Sequence, residues 1–573
     1  MNFKWEAINK LKVESGKLKV KDIVNLLLEN RGLKTARQKE DFLNPDISKI
    51  NSKTLKISSV GLTKSIARIK KAIKEKEQII IFGDYDVDGV CASAILWETL
   101  NEIGAKVMPF IPGREEEGYG LSKKGILSVL KKFKNTKLMI TVDNGIVANK
   151  GVDFANKNGI DVIITDHHIP SSKLPNAYSI VHTTEVCGAG VAWALAQELK
   201  VKSEKLKVED NHLELVAIAS IADMVPLKGA NRSLVKFGLE SLRKTKRIGL
   251  LEIFKEARIE RENLQSYQIS YVVAPRINAM GRLELAMDSL RLICTRDKKR
   301  AVALALKLGN TNRKRQNLTE ELIVHAKREV AKKKIGKLIF IGNKDYQQGV
   351  IGLVAGKLVE QYYRPSIVYW KGDEFSKASA RSIKDFNIIE FIRRASDCLV
   401  DFGGHPMAAG FTFETKKAEV IKKKMEEIAD KLLNSASFIK TLKYDLEIPL
   451  SALSIKLYES IAKMEPFGIG NPVPVFASKA IIEDIRFVGK ENSHLKLKLR
   501  QLTASNHQLA LFDAIGFGIG EEYKDLKVGK EINIACSIDE NEWNGNKRLQ
   551  LKIRDMRLSS SDVFLGCSLS SEQ

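Results

Sequence analysis

Three aspartates at alternate positions, Asp84, Asp86 and Asp88, follow an apolar run in IIIFGDYDVDGVCASAIL. In an extended chain, a period of two sends all three side chains to one side. Carboxylates that close repel one another unless a cation neutralises them. Hard oxygen ligands suit Mg²⁺ or Mn²⁺. An acidic turn whose aspartates cap the next helix is the plain alternative. Two more apolar runs end in the same chemistry: KLMITVDNGI delivers Asp143, and DVIITDHHIP delivers Asp166, His167 and His168. The chain has eight histidines, and two sit together here. Asp223 closes the apolar run ELVAIASIAD ahead of Pro226, where a lone aspartate is normally a cap. Carboxylates with one imidazole suit two divalent ions roughly 3.5–4 Å apart, the arrangement that hydrolyses phosphodiesters.

A second set of residues has phosphate-gripping chemistry. GGHPMAAG places Gly403 and Gly404 before His405. Glycines let a backbone approach a phosphate and aim its N–H groups at it, although a Gly-Gly turn with a structural histidine reads equally well. SARS offers Ser379 and Arg381, a hydroxyl beside a fork-shaped cation. Arg114 in GREEEGYG is a further cation, with three adjacent glutamates that could pair with it. Arg276, Asn278 and Arg282 in APRINAMGRL are, by spacing alone, an ordinary exposed helix start. The run NRKRQ (312–316) is as readily a solvated helix face as a DNA contact.

The elements that must position these residues alternate between strand and helix. Buried-strand runs at 78–83, 137–142 and 161–165 are separated by helical patterns such as 65–76 and 90–104, which predicts a parallel α/β sheet. Carboxyl ends of such strands are where open α/β sheets bind ligands. Residues 286–334 read as long, basic helix weakly broken at Gly309, and a second α/β pattern runs from 337 to 435. After residue 440 the chain turns β-rich: HLKLKLR (494–500) alternates strictly, and Asn544–Gly545 between two such runs signals a type I′ hairpin. The expected order is an N-terminal segment (1–55), a first α/β domain (56–285), a helical connector (286–334), a second α/β domain (335–438), a small all-β module (439–560) and a tail (561–573).

The whole chain is 573 residues with 94 Lys+Arg and 70 Asp+Glu, so 94 − 70 gives a net charge of +24. That excess favours a polyanionic partner and salt-sensitive binding. With 44% hydrophobic and 29% charged residues, the composition excludes a mainly disordered chain. No apolar run reaches the roughly 18 residues of a membrane helix, and the start has no signal-peptide core. Six scattered cysteines with no CxxC pair suggest neither disulfide framework nor zinc ribbon, and fit a reducing cytoplasm.

Together DYDVDG, VDNG, TDHH and IADMVPL resemble the four motifs of the DHH phosphoesterase family. GREEEGYG, CGAGVA, VVAPRINAMGRL, SARSI, GGHPMAAG and MEPFGIGNPVPVF are similar to segments of its RecJ branch, in order, over roughly residues 50–560. The resemblance implies a metal-dependent, single-stranded-DNA-specific 5′-to-3′ exonuclease of recombination and repair, using two Mn²⁺ or Mg²⁺ ions. It implies Asp86, Asp88, Asp143, His167 and Asp223 as metal ligands, with Asp84 a ligand or close outer acid and Asp166 and His168 completing the motif. It places Asp86, Asp88, Asp143, His167, His168 and His405 in catalysis. Arg114, Ser379 and Arg381, with Gly403, Gly404 and His405, would hold the strand's 5′ end and scissile phosphate; Arg276, Asn278 and Arg282 would line its channel. The second α/β domain would be of the DHHA1 type and the all-β module an oligonucleotide-binding (OB) barrel. Single-stranded DNA is then the partner of a monomer, with a single-strand-binding protein and a helicase as further candidates. One departure is that Tyr346-Gln347 stands where the branch usually carries Trp-His. A hydrolase of small phosphate compounds and a catalytically dead DNA-binding relative are the competing readings.

Overall fold

The structure is a computed structural model that describes residues 3–10, 19–114, 116–201, 212–332, 334–501, 511–543 and 546–559. It divides into two compact units: residues 46–439, and a second made of 1–45 with 440–573.

In the larger unit, strands β1 (Gln78–Phe82), β2 (Val107–Phe110), β3 (Thr136–Val142), β4 (Asp161–Asp166) and β5 (Ser179–His182) form one sheet in the order β2-β1-β3-β4-β5. All four pairings are parallel. The unbroken apolar runs have this cause: a parallel sheet covered by helices is buried on both faces. Ile79, Ile81, Leu138, Ile140 and Ile163 pack on one face against helices α1 (Val87–Glu102), α2 (Gly188–Val201) and α3 (Leu213–Ala222). Ile80, Phe82, Met139, Val162 and Ile164 face the other way, towards Ile126, Val129 and Val152. The chain leaves β1 for β2 on one side and returns to β3 on the other. The carboxyl ends of β1 and β3 therefore flank the switch point, where ligands bind in such sheets.

Helix α4 (Ala274–Leu283) leads to a short helix (287–294) and then to α5 (Lys298–Ala331), 34 residues and about 50 Å long. The expected break at Gly309 does not occur. Gly309 is helical, and its lack of a side chain makes room for Glu256, whose carboxylate oxygen a Cβ would meet at 2.0 Å. The second sheet of this unit contains β6 (Ile339–Asn343), β7 (Ser366–Trp370), β8 (Phe375–Arg381), β9 (Asp401–His405) and β10 (Ala408–Glu414). Its order is β9-β10-β8-β7-β6, parallel at β6–β7 and antiparallel elsewhere.

The smaller unit is a closed barrel of strands 476–488, 494–501, 511–516, 546–558 and 531–543, shut by pairing of the first with the last. The parallel step lies between 511–516 and 546–558. The expected hairpin pairs Trp543 with Asn546, while its turn, Asn544–Gly545, and the tail 561–573 lie outside the described residues. The N-terminal residues are part of this unit rather than a segment of their own. Lys4–Ala7 pairs with Thr441–Tyr444, and buried Arg31 bonds Asn471, Asp445 and the Pro472 carbonyl. No helix among the described residues is long and apolar enough to cross a membrane.

Candidate metal centre and anion pocket

The three leading aspartates come together, though not on a strand. Asp84 follows β1, Asp86 is the N-cap of α1 and accepts from Gly89 N at 3.0 Å, and Asp88 lies in that helix's first turn. The capping alternative and the metal reading therefore hold at once. A strand-to-helix corner delivers the carboxylates, not a period of two. Asp88 is further fixed by the start of α2: its two oxygens accept from Gly188 N and Ala189 N, both at 2.6 Å. Gly188 is required by closeness, since a Cβ there would meet the Asp143 side chain at 2.6–2.9 Å. The sequence showed CGAGVA as a motif without a task; its backbone holds a candidate ligand.

Asp143 enters from the end of β3 with φ +60°, a left-handed conformation, and its backbone N–H reaches Thr165 O at 3.0 Å. His167 Nε2 lies 3.2 Å from Asp143 Oδ1 and 3.7 Å from both Asp88 Oδ2 and Asp223 Oδ2. Asp223 arrives as the C-cap of α3. Ligand atoms lie within 4.8 Å of one another in three sets: Asp84–Asp86–Asp143, Asp88–His167–Asp223 and Asp143–His167–His168. Asp166 accepts from Ile146 N, His167 N, His168 N and His168 Nδ1, the last at 2.8 Å. It orients the histidines rather than facing the cluster.

The protonation tendencies record the crowding. Burial, then Asp86, pushes Asp88 up to about 7; burial, then Asp88, pushes Asp223 up to about 8. Burial and the neighbouring carboxylates raise Asp84 and Asp143 well above the ordinary carboxylate range. Burial, then His168, lowers His167 to about 4, leaving its imidazole neutral and able to ligate. Burial opposes the His168 cation, but the bond to Asp166 outweighs it and raises His168 to about 9. Buried Asp84 Oδ1 and Asp143 Oδ1 have no hydrogen-bond donor. Acceptor-only oxygens buried without donors fit divalent cations.

Around this cluster stand the expected phosphate ligands. His405 ends β9, its ring stacked on His168 with centroids 5.8 Å apart. Gly403 and Gly404 lie in β9, an edge strand, which keeps one row of N–H groups free of the sheet. Gly404 has φ +145°, and a Cβ there would strike Ala408 O at 2.5 Å. Arg114 lies over the Tyr85 ring at 4.2 Å and reaches Gly281 O at 3.3 Å. It forms no ion pair with Glu116 or Glu117; Glu117 is occupied by Gly113 N and Ser128. Arg381 Nη1 bonds Ser379 Oγ at 3.2 Å and Ala380 O at 2.9 Å, and Arg282 Nη1 bonds Gly349 O at 3.0 Å. Burial and then Arg114, Arg381 and Arg315 lower Arg282 to about 10. Arg315 belongs to this cluster and was not distinguished within its charged run.

Two expected channel residues have other engagements. Arg276 is held by Glu256 at 2.7 Å and by Val272 O at 2.9 Å. Asn278 Oδ1 accepts from Val87 N at 3.1 Å and so braces the first turn of α1. At the departure from the family pattern, Tyr346 is buried with its hydroxyl 2.9 Å from His325 Nδ1. In the barrel, Phe487 and Phe512 pack against the core and Phe517 is exposed.

The chain matches the DHH family N-terminal domain over residues 78–220, the DHHA1 domain over 332–431 and the RecJ OB domain over 444–555. It is 35% identical over 570 residues to the single-stranded-DNA-specific exonuclease RecJ of Bacillus subtilis, covering 97% of this chain and 70% of that one. The Thermus thermophilus exonuclease of the same name is 32% identical over 536 residues, covering 91% and 73%. The crystal structure of T. thermophilus RecJ with Mn²⁺ superposes with a TM-score of 0.80 at 28% identity, over 97% of this chain and 79% of that one. Its Mg²⁺ complex gives 0.75 at 26% identity, over 97% and 78%. Both ions are hard cations of the kind the carboxylate cluster suits.

Proposed function

This chain belongs to the RecJ family, and from that premise we propose that it degrades single-stranded DNA from the 5′ end by metal-dependent phosphodiester hydrolysis. The observation that carries the reading is a carboxylate cluster in which the buried oxygens Asp84 Oδ1 and Asp143 Oδ1 lack a donor, in the same compact unit as half-buried arginines that have no carboxylate partner among the described residues. Asp84, Asp86, Asp88, Asp143, His167 and Asp223 would hold two divalent cations, which when bound supply an activated water and charge stabilisation at the attacking and leaving oxygens.

The remaining steps belong to the chain's own groups. Asp166 fixes the orientation of His168 and favours its cation. His405, stacked beside it, donates to a non-bridging oxygen of the scissile phosphate. Arg114, Ser379 and Arg381 take the 5′-terminal phosphate, whose extra charge and three free oxygens an internal nucleotide lacks. Pocket and carboxylates together fix which bond is cut. Recombination and repair, a cytoplasmic location and a monomer accompany this reading, with a single-strand-binding protein and a helicase as candidate partners that protect and supply the strand.

The test is a substrate panel at saturating Mn²⁺ and in EDTA: single strand, blunt duplex, pyrophosphate and a cyclic dinucleotide. Metal-dependent turnover of the single strand alone is expected. Preferred turnover of either small compound would replace this reading with the small-phosphate hydrolase.

A further inference from the structure

The core-facing stripe of α5 runs through Leu308, Asn312, Arg315, Thr319 and Leu322, at helical spacing. Apolar residues occupy its ends, but for two turns it is polar. Asn312 and Thr319 are buried, and Arg315 between them is half-buried. Arg315 Nη2 bonds Asn312 Oδ1 at 3.0 Å, while its buried Nε has no acceptor. Arg313, two residues away and so on the opposite face, pairs with Glu256 at 2.6 Å. The contrast separates a structural arginine from one kept for something else. A cationic N–H buried without an acceptor or a counter-charge is costly. Helix α5 packs against α4, which carries Arg282, and against the helix Ile351–Tyr362, whose Gly352 lies against Arg381; Arg315 acts on Arg282 together with Arg114 and Arg381. Among the described residues none of the four forms an ion pair with a carboxylate.

We propose that Arg315 is a specificity-determining member of the anion pocket, where its charge favours a doubly charged terminal phosphate over a singly charged phosphodiester. The inference rests on the 5′-exonuclease reading and extends it: Arg381 and Ser379 supply directional bonds, and Arg315 supplies excess positive charge. A phosphomonoester carries about −1.5 to −2 near pH 7, an internal diester a single charge. A pocket with more cations than one charge can balance prefers the first.

The experiment measures kcat and KM of the full chain at saturating Mn²⁺ on single strands with three 5′ ends: phosphate, phosphate methyl ester and hydroxyl. The wild type should prefer them in that order. Arg315→Gln should lower the phosphate-to-methyl-ester ratio of kcat/KM by about tenfold, a 1.4 kcal/mol change, through KM with kcat retained. Arg315→Met keeps the packing stem and should lose the ratio equally if Gln fails to fold. Arg315→Lys restores the charge and should hold the ratio within about threefold. A folded neutral variant with the wild-type ratio overturns the proposal, as does Lys losing as much as Met. Arg381→Ala reports on the pocket separately. Should the wild type itself degrade from the 3′ end or ignore the 5′ group, the underlying reading fails and this inference with it.

Discussion

Elsewhere in the larger unit, buried charges are paired: Arg68 holds Glu77 and Asp161 at 2.6 Å, and Arg247 holds Glu98 at 2.7 Å and Glu214 at 2.5 Å. Such networks satisfy the cost of removing charge from water within the fold. The carboxylate edge and the arginine pocket do the opposite. Acids gather with acids and guanidiniums with guanidiniums, and the chain does not let one set neutralise the other. Paired burial builds structure; unpaired burial of like charge waits for ligands of opposite sign, here cations on one side and a terminal phosphate on the other.

Removing an acid should break the comparison most severely. Asp143→Ala deletes the carboxylate common to two of the ligand sets. Turnover should fall by more than about 100-fold, the scale of losing one electrostatic stabiliser. Binding to single-stranded DNA, measured by fluorescence anisotropy, should persist, because it rests on cations and phosphates. Near-normal turnover of the folded variant would remove the acids from the chemistry.

On the cationic side, Arg381→Ala should raise KM for 5′-phosphorylated strands by about 10–100-fold, the worth of charge-assisted hydrogen bonds, and much less for 5′-hydroxyl strands. Equal losses on both would mean that Arg381 only supports the fold.

The barrel unit has a smaller stake. A protein reduced to residues 46–439 retains every metal-motif residue and all four pocket arginines. Its DNA affinity should weaken, and the slope of log affinity against log salt should flatten by about 0.7 for each lost phosphate contact. An unchanged slope in the folded fragment would give the barrel another task.

The least perturbing test is metal binding to the resting protein. Asp88 and Asp223 are raised to about 7 and about 8, above their unfolded values. For groups shifted this way, the stabilising contribution is present below the unfolded pKa and lost as pH rises through the folded pKa. Metal-free protein should thus lose stability between about pH 4 and 8, and Mn²⁺ should restore it. The Tm gain from Mn²⁺ should be larger at pH 8.5 than at pH 6; the reverse trend would mean the acids are not the ligands.

The two clusters also differ in how far the sequence disclosed them. The acids are short-range: each lies within a few residues of an apolar run, so DYDVDG, VDNG and TDHH were readable from residue type and spacing, while the lone Asp223 read as a cap and gained a ligand role only through the family resemblance. What the spacing misread was local shape, because Asp86 and Asp88 belong to a helix start rather than a strand. The arginine pocket is long-range, assembled from Arg114, Arg282, Arg315 and Arg381 on four separated segments. Nothing local distinguishes Arg315 from Arg313; only the packing of α5 puts one beside other arginines and the other on Glu256. Likewise, spacing read Arg276 as an exposed charge, and its pairing with Glu256 is visible only in the packing; residues 1–45 looked separate until their pairing with the barrel unit was visible.

The central claim is that unpaired acids and unpaired arginines serve one reaction at a 5′ end. Its most direct measurement is a product ladder from single strands carrying a 5′-phosphate and a 3′ label, incubated with Mn²⁺ or with EDTA. The account predicts progressive shortening from the 5′ end with Mn²⁺, slower when the 5′ group is hydroxyl, and none in EDTA. Shortening from the 3′ end, or a ladder that persists in EDTA, would contradict it.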